Sequence, residues 1–410
     1  MKIWLLEVNE TLPGDPDFRP WRYNILAEIL AGRGHEVIWW VSTFSHSQKA
    51  HRVIPPEGVR YEKGYTIYFL HGPGYKKNIS FARIKHHRIL ANRFLEKAYK
   101  LEPPDLIVCP IPILEICAKG LKYAQEKKIP FILDIRDKWP ETYLFNVPGA
   151  FRPILKLALI RSFSESRKIK RSANNIIAVS EDFLNWGLRD IQRERTSLDR
   201  VFHLGYDDLI FEEKSDGELS KIGLEARKKN VLFIGTISQL RPLDFLIKAA
   251  HDHSVSGRSD THFIICGDGP DIGRIKKLAK NLNNIIFTGW VSSEALRKLK
   301  KNASIAVAPY RGNITSLPNK IFEYMAAGLP IISSLEGELR DMMGSQNFGI
   351  YYKSDNYKGF KAALDLLLDD DELRINMGQN SLKLFNENYQ SKNICLGFAD
   401  YLESFLSRNN

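Results

Sequence analysis

The feature that most constrains the fold is an alternation that occurs twice. Short, unbroken apolar runs, KIWLLEV (2–8), GHEVIWWVS (34–42), DLIVCP (105–110), IPFILDI (129–135) and NNIIAVS (174–180), are separated by segments of helical length, among them 21–32, 113–127 and 181–190. After residue 228 the pattern restarts as NVLFIGTI, DTHFIICGDGP, NIIFTGW and ASIAVAPY, with PLDFLIKAAHDH, DIGRIKKLAKNL and SSEALRKLKKN between them. An apolar run without polar alternation suits a strand buried on both faces, and intervening helices suit a parallel sheet covered on both sides. The pattern predicts two doubly wound, Rossmann-like α/β domains, residues 1–205 and 206–387. The charged stretch 207–230 serves as linker and first helix, and a C-terminal helix over about 388–410 packs back on the first domain. In such sheets ligands sit at the carboxyl ends of the strands, so two facing domains would leave a central cleft between those ends.

Composition narrows the class without choosing the chemistry. Hydrophobic residues make up 44% and charged residues 26%, which describes a folded protein and excludes a disordered or fibrous one. The four cysteines, at 109, 117, 266 and 395, form no C-x-x-C pair, and Cys109 and Cys266, in or at the ends of apolar runs, read as buried thiols of a reducing compartment. MKIWLLEVNE reaches an acidic residue too soon for a signal peptide, and no stretch approaches a membrane span. A cytoplasmic protein is expected. The formal charge of +11 favours an anionic partner. Much of that charge lies in residues 74–100 and in 151–175, where seven Lys or Arg face one Glu. In PILKLALIRSF, Ile154, Leu155, Leu157, Leu159 and Ile160 alternate with Lys156 and Arg161. Such a segment suits an anionic membrane surface, or a helix packed on the first domain with its charges in water. No nucleic-acid reading module or aromatic-basic interleaving accompanies the charge, so no nucleic-acid partner is expected.

The most specific stretch is SLPNKIFEYMAAGLPIISS, residues 316–334. Pro318 suits the first turn of a helix, with Ser316 as its cap. Asn319 and Lys320 then lie at the helix amino end, where unpaired N–H groups and the dipole favour a phosphate. Glu323 follows Asn319 by four residues and shares its face. A cation there would neutralise a diphosphate and a carboxylate one turn further in would accept from sugar hydroxyls; spacing alone fits a solvated surface helix equally. Arg241, in GTISQLRP after the first strand of this half, is a second candidate cation, and Gly235 in the same loop permits close backbone approach. Gly267 and Gly269 in CGDGP form a glycine turn, but GDGPDIG places its third glycine one residue late for a dinucleotide fingerprint, which excludes an NAD site. In the first half, LDIRDKWPET ends a buried strand with Arg136, Asp137, Trp139 and Glu141. Asp137 can orient a hydroxyl nucleophile or accept its proton, with Arg136 expected to keep it ionised. His71, His86 and His87 make no ligand set with a Cys or Asp, and LDDDEL (368–373) reads as a cap and turn, so no metal is expected.

Taken in order, these segments resemble the retaining GT-B glycosyltransferases of family 4, the group 1 transferases, over nearly the whole chain. GRGHEV (32–37), NNIIAVSEDF, HLGYDDLIF, FIGTISQLRPLDFLIKAA, FIICGDGP, IIFTGWVSSEAL and SLPNKIFEYMAAGLPII carry the likeness. Arg136, Asp137, Trp139, Pro140 and Glu141 match the R-D-x-W-P-E of the subgroup that builds bacterial surface polysaccharides such as O-antigen and capsule. The resemblance implies a GT-B fold and transfer from a nucleoside-diphosphate sugar, with UDP the expected nucleotide, to a polyprenyl-diphosphate-linked saccharide. It implies a metal-independent reaction without a cofactor, at the inner face of the plasma membrane.

By the same likeness, Arg241 stands where the family places a diphosphate-binding Lys, with Lys320 beside it, and Asp137 positions the acceptor hydroxyl. Glu323 falls on the second glutamate of the family's E-x7-E element and grips the donor ribose. Asn319 joins the diphosphate, Gly235 and Gly267 admit the donor to the backbone, and Gly289 and Trp290 hold the nucleobase. Two positions depart from the pattern: the first glutamate of E-x7-E is Thr315, and the usual arginine of the first loop is Thr236. Loss of the first carboxylate leaves an N-acetylated or deoxy sugar open. The alternatives are a sugar-nucleotide epimerase of the GT-B kind and a catalytically inactive scaffold.

Overall fold

The computed structural model describes residues 1–16, 18–55, 58–145, 147–207, 228–312 and 317–407. They form two compact units, Met1–Leu204 with Ser391–Asn410, and Gly205–Gln390. Most of the charged stretch 207–230, together with Thr315 and Ser316, lies outside the described residues.

In the first unit the strands are β1 (Lys2–Leu5), β2 (Glu36–Ser42), β3 (Phe44–Ser45), β4 (Ala50–His51), β5 (Val59–Glu62), β6 (Tyr65–Leu70), β7 (Leu106–Ile111), β8 (Phe131–Ile135), β9 (Asn175–Ala178) and β10 (Arg200–Val201). Eight of them form one sheet in the order β10-β9-β8-β7-β1-β2-β6-β5, while β3 and β4 pair separately. Every neighbour in the large sheet is parallel except β5, which runs antiparallel to β6. Lys63 and Gly64 turn that hairpin. The helices are α1 (Arg22–Gly32), α2 (Phe81–Ala98), α3 (Leu114–Lys127), α4 (Thr142–Phe145), α5 (Arg152–Ala158), α6 (Ile160–Ser172) and α7 (Glu181–Asp190).

The period of two along β1 explains the unbroken apolar sequence. Ile3 and Leu5 enter one core, with Tyr23 and Leu26 of α1. Trp4 and Leu6 enter the other, with Leu90 and Phe94 of α2. A strand covered on both faces needs apolar residues at odd and even positions alike.

The second unit holds β11 (Lys229–Ile234), β12 (Thr261–Cys266), β13 (Ile285–Gly289), β14 (Ile305–Ala308), β15 (Ile331–Ser333) and β16 (Gly349–Tyr351). All are parallel, in the order β13-β12-β11-β14-β15-β16. Its helices are α8 (Asp244–Val255), α9 (Ile272–Leu278), α10 (Ser293–Lys301), α11 (Asn319–Ala326), α12 (Glu338–Gln346), α13 (Tyr357–Asp369) and α14 (Asp371–Asn388). Leu232 and Ile234 face one core, Val231 and Phe233 the other.

The last helix, α15 (Ser391–Ser407), belongs to the first unit. Its Phe398, Ala399, Tyr401, Leu402 and Phe405 are buried with Tyr23, Leu26 and Leu30 of α1. Phe398 stacks on Phe202 at 4.7 Å, and the Arg22 guanidinium lies 4.8 Å over its ring. All four cysteines are buried free thiols.

Candidate functional site

In the second unit the carboxyl ends of β11, β12 and β13 are laced together by main-chain hydrogen bonds. Gly235 N–H donates to Cys266 O at 3.0 Å, Ile237 N–H to Asp268 O at 2.9 Å, and Gly267 N–H to Gly289 O at 2.9 Å. Gly267 has φ +134°, and a Cβ placed there would lie 2.0 Å from Gly235 O; one on Gly269 would lie 2.2 Å from Ile237 O. Both glycines of CGDGP are therefore required by main chain packed on main chain. Gly289 carries φ +66° with open space beside its α-carbon, and Trp290 next to it is exposed.

The loop after β14 joins this edge, because β11 and β14 are neighbours and Arg311 N–H donates to Leu240 O at 3.0 Å. Arg241 is turned back by its N–H bond to Ser238 O at 2.9 Å, and its guanidinium sits 5.7 Å over the Tyr310 ring. A Cβ on Gly235 would come 3.9 Å from Arg241 Nη1, so the guanidinium lies over the bare face of that glycine.

α11 is anchored to the end of β11 by Tyr324, whose buried hydroxyl accepts from Ile234 N–H at 2.7 Å. The cap falls two residues later than the sequence suggests. Pro318 is its cap position, with φ −82° and ψ 149°, and makes no side-chain cap bond; Asn319 is the first helical residue. Buried Asn319 Oδ1 has no partner among the described residues. One turn on, Glu323 is buried between two lysines. Lys320 Nζ lies 2.5 Å from Oε2, and Lys300 Nζ lies 3.4 Å from Oε1.

The two lysines differ. The Lys320 side chain is 36% exposed, whereas that of Lys300 is 5% exposed and also donates to the Tyr206 hydroxyl at 3.0 Å. Cys266, at the end of β12, feels this cluster. Burial pushes its thiol up, the Thr288 hydrogen bond and Lys320 pull it down, and Glu323 pushes it up again. The sequence hides Lys300 inside the basic run RKLKKN, which reads as a solvated helix face.

In the first unit a cavity of about 540 Å³ opens at the carboxyl ends of β1, β7 and β8. Glu7, Glu10, His46, Arg83, Arg136 and Asp137 are among the residues that line it. The expected pairing of Arg136 with Asp137 is not found. Arg136 Nη1 donates instead to Glu7 Oε2 at 2.9 Å and Glu10 Oε1 at 2.8 Å, acids of the turn after β1. Those two buried carboxylates share the Nη1 end of the guanidinium and hold it toward the turn after β1. Burial, opposed by Arg136 and assisted by Glu7, pushes Glu10 up to about 7. Asp137 accepts from the Thr142 hydroxyl at 2.9 Å, and burial raises its pKa against that bond. Two acids at the end of an N-terminal strand, Glu7 and Glu10, were the available signal for this network.

Among the described residues, no group of three or more His, Cys, Asp or Glu side chains is placed to hold a metal ion. No helix among them is long and apolar enough to cross a membrane.

Two Rossmann-like α/β units define the class: this is the GT-B fold. Sucrose-phosphate synthase from Thermosynechococcus elongatus shares it with a TM-score of 0.71 at 18% identity, covering 99% of each chain. Anabaena HepE, solved in complex with UDP, shares it with a TM-score of 0.68 at 14% identity, covering 98% of this chain and 100% of that one. Residues 228–370 match the family model described as glycosyl transferases group 1. A glycosyltransferase of Methanocaldococcus jannaschii is 29% identical over 192 residues, 45% of this chain and 47% of the relative. The chain spans about half the length of the curated relatives it matches. The fold and that matched segment are what the chain shares with these glycosyltransferases. The likeness carries no specific link to the O-antigen and capsule subgroup.

Proposed function

We infer that the chain transfers a sugar from a nucleoside-diphosphate sugar, with retention at the anomeric carbon, to a lipid-linked saccharide presented at an anionic membrane surface. The observation that carries this reading is the buried Glu323 held between Lys300 and Lys320 one turn inside α11, in the unit that also bears Arg241. UDP is the nucleotide favoured, since a solved relative of the same fold holds UDP.

The roles follow from charge and reach. Arg241 and Lys320 stabilise the negative charge that grows on the departing diphosphate, aided by the N–H groups that open α11. Glu323 accepts hydrogen bonds from ribose hydroxyls. Lys320 is exposed enough to swing from Glu323 to the diphosphate, because Lys300 remains to neutralise the carboxylate. That exchange would free Oε2 as the donor arrives. Asp137, in the first unit, orients the acceptor hydroxyl, and Gly235, Gly289 and Trp290 offer backbone and aromatic surface to the nucleotide. Asn319, whose buried oxygen has no partner among the described residues, joins the diphosphate end through its amide N–H2.

The test is binding of UDP-, GDP- and dTDP-sugars to the purified chain, with and without a chelator, followed by the Lys320→Ala and Glu323→Ala variants. Saturable, chelator-insensitive binding of one nucleotide class is expected, weakened tenfold or more in each variant, as for a lost charge-assisted contact of about 1.5–3 kcal/mol. Unchanged affinity and turnover in both variants would refute the assignment. Saturable binding without turnover on any acceptor would leave an inactive scaffold.

A further inference from the structure

We propose that the first unit docks on anionic lipid through two apolar prongs at the carboxyl edge of its sheet, setting the 540 Å³ cavity beside the bilayer surface. The first prong is the segment ahead of α2, where Ile79 is 62% and Phe81 91% exposed. The second is the 3₁₀ turn Gly149–Phe151, α5 and the first residue of α6, where Phe151, Ile154, Leu157 and Ile160 are 59% to 70% exposed.

None of the residues of α5 is buried. A seven-residue helix is too short to persist on hydrogen bonds alone and takes its stability from a covered apolar face. Here Ile154 and Leu157 of that helix, with Phe151 before it and Ile160 after it, are exposed to water. Exposed apolar groups clustered in this way mark a surface that something covers.

The charges say what covers it. No Asp or Glu occurs between Glu141 and Glu165, a span that contains Arg152, Lys156 and Arg161. None occurs between Glu62 and Glu96 either, a span with Lys76, Lys77, Arg83, Lys85, Arg88 and Arg93. Bulky apolar residues flanked by cations, with acids excluded from both stretches, match an interface of anionic headgroups over acyl chains.

The two prongs share a base. α2 follows β6 and α5 follows β8, so both leave the carboxyl edge of one parallel sheet, the edge at which the cavity opens. Arg83 ties them together. Its guanidinium donates to Asn78 O at 2.9 Å, beside Ile79, and lies 5.7 Å over Trp139, which packs on Tyr143 of α4 at 4.3 Å between ring centroids. Arg83 and Asp137 also line the cavity. Docking through both prongs therefore brings the proposed acceptor position within reach of a headgroup-borne saccharide. The inference deepens the membrane part of the proposed function and rests on that reading for its purpose, but lipid binding can be read without any turnover.

The experiment is flotation of the full chain with vesicles of phosphatidylcholine alone and of phosphatidylcholine with about 30% phosphatidylglycerol. UDP-sugar binding is measured on the same samples. The parent should float with the anionic vesicles only, and raised salt should weaken the association. Ile154→Ser/Leu157→Ser and Phe81→Ser should each weaken it about tenfold or more, as expected when buried apolar area is removed, with melting temperature and sugar-nucleotide binding unchanged. Arg152→Gln/Lys156→Gln should weaken it in the same direction. A folded parent that floats with neither vesicle overturns the proposal, and so does undiminished flotation of the serine variants. Self-association that the serine variants abolish, without flotation, assigns the prongs to a second copy and also overturns it. Donor binding without flotation sinks the docking alone, whereas flotation without donor binding sinks the transfer reading alone.

Discussion

At the scale of single residues, the two lysines around Glu323 make opposite demands. Lys300 is buried, close to Glu323 and bonded to Tyr206. Removing one member of a buried pair leaves charge without full compensation, so Lys300→Met should lower stability by about 3 kcal/mol, read from urea denaturation. It should also weaken donor binding, because Glu323 would then retain Lys320 and resist its exchange to the diphosphate. Lys320 is more than one third exposed, and a partner so placed contributes less than about 1 kcal/mol to folding. Lys320→Ala should therefore keep the parent's urea midpoint while losing donor affinity. Equal losses of stability in the two variants would show that the lysines are not divided in this way. Sequence spacing exposes Lys320 and Glu323, three apart at a helix start, but not Lys300. Its contact comes from α10, a helix whose place beside α11 no local pattern encodes.

At the scale of elements, the longer central strands of both sheets were readable because burial on both faces leaves mostly apolar residues at odd and even positions alike, whereas the two- and three-residue strands β10 and β16 are too short to show it. The hairpin of β5 and β6 was not readable either. VRYE, at the sheet edge, carries charge at alternate positions, YTIYFL beside it mixes hydroxyls with apolar residues, and the parallel pattern elsewhere gives no cue to one reversed strand. The C-terminal helix shows what a strong apolar face can reveal. Leu402, Phe398 and Phe405 announce a buried helix, yet only the three-dimensional arrangement shows α1 as its partner. Phe398 is fully buried, stacked on Phe202 and beneath the Arg22 guanidinium. Phe398→Ala should cost about 3–5 kcal/mol, measured by urea denaturation. A loss below about 1 kcal/mol would mean that α15 is not an integral part of the first unit's core. In the glycine turn CGDGP the space that side chains at Gly267 and Gly269 would need is taken up by the carbonyls of Gly235 and Ile237, a packing requirement that the local pattern does not announce.

At the scale of the whole molecule, buried titratable groups in the first unit set opposing responses to pH. Burial, reinforced by neighbouring cations, holds His46 and His86 down to about 4 and His87 to about 3. The geometry of His86 agrees, since its Nδ1 accepts from Gly74 N–H at 3.1 Å and must be unprotonated to do so. A histidine with a depressed pKa binds its proton more readily in the unfolded chain. Its contribution to stability is thus present above about 6.5 and is lost as pH falls through about 4. Glu10 acts in the other sense. Its pKa of about 7 lies above the value of about 4.3 expected in an unfolded chain, so the folded state keeps the proton and loses stability as pH rises through that window. The difference in stability between Glu10→Gln and the parent isolates this group from all others, and should move in favour of the variant as pH rises from about 4.5 to 7. A pH-independent difference would mean that Glu10 is ionised throughout, with Arg136 overcoming both burial and Glu7. The histidines can be read directly by NMR. The ring signals of His46, His86 and His87 should stay in their neutral positions from pH 7 down to about 5, where an ordinary imidazole of pKa about 6.5 is almost wholly protonated. All three rings pack around Tyr75, at 5.8, 5.3 and 6.1 Å between ring centroids; midpoints near 6.5 for all three would show that this cluster admits water and that acid does not act through these groups.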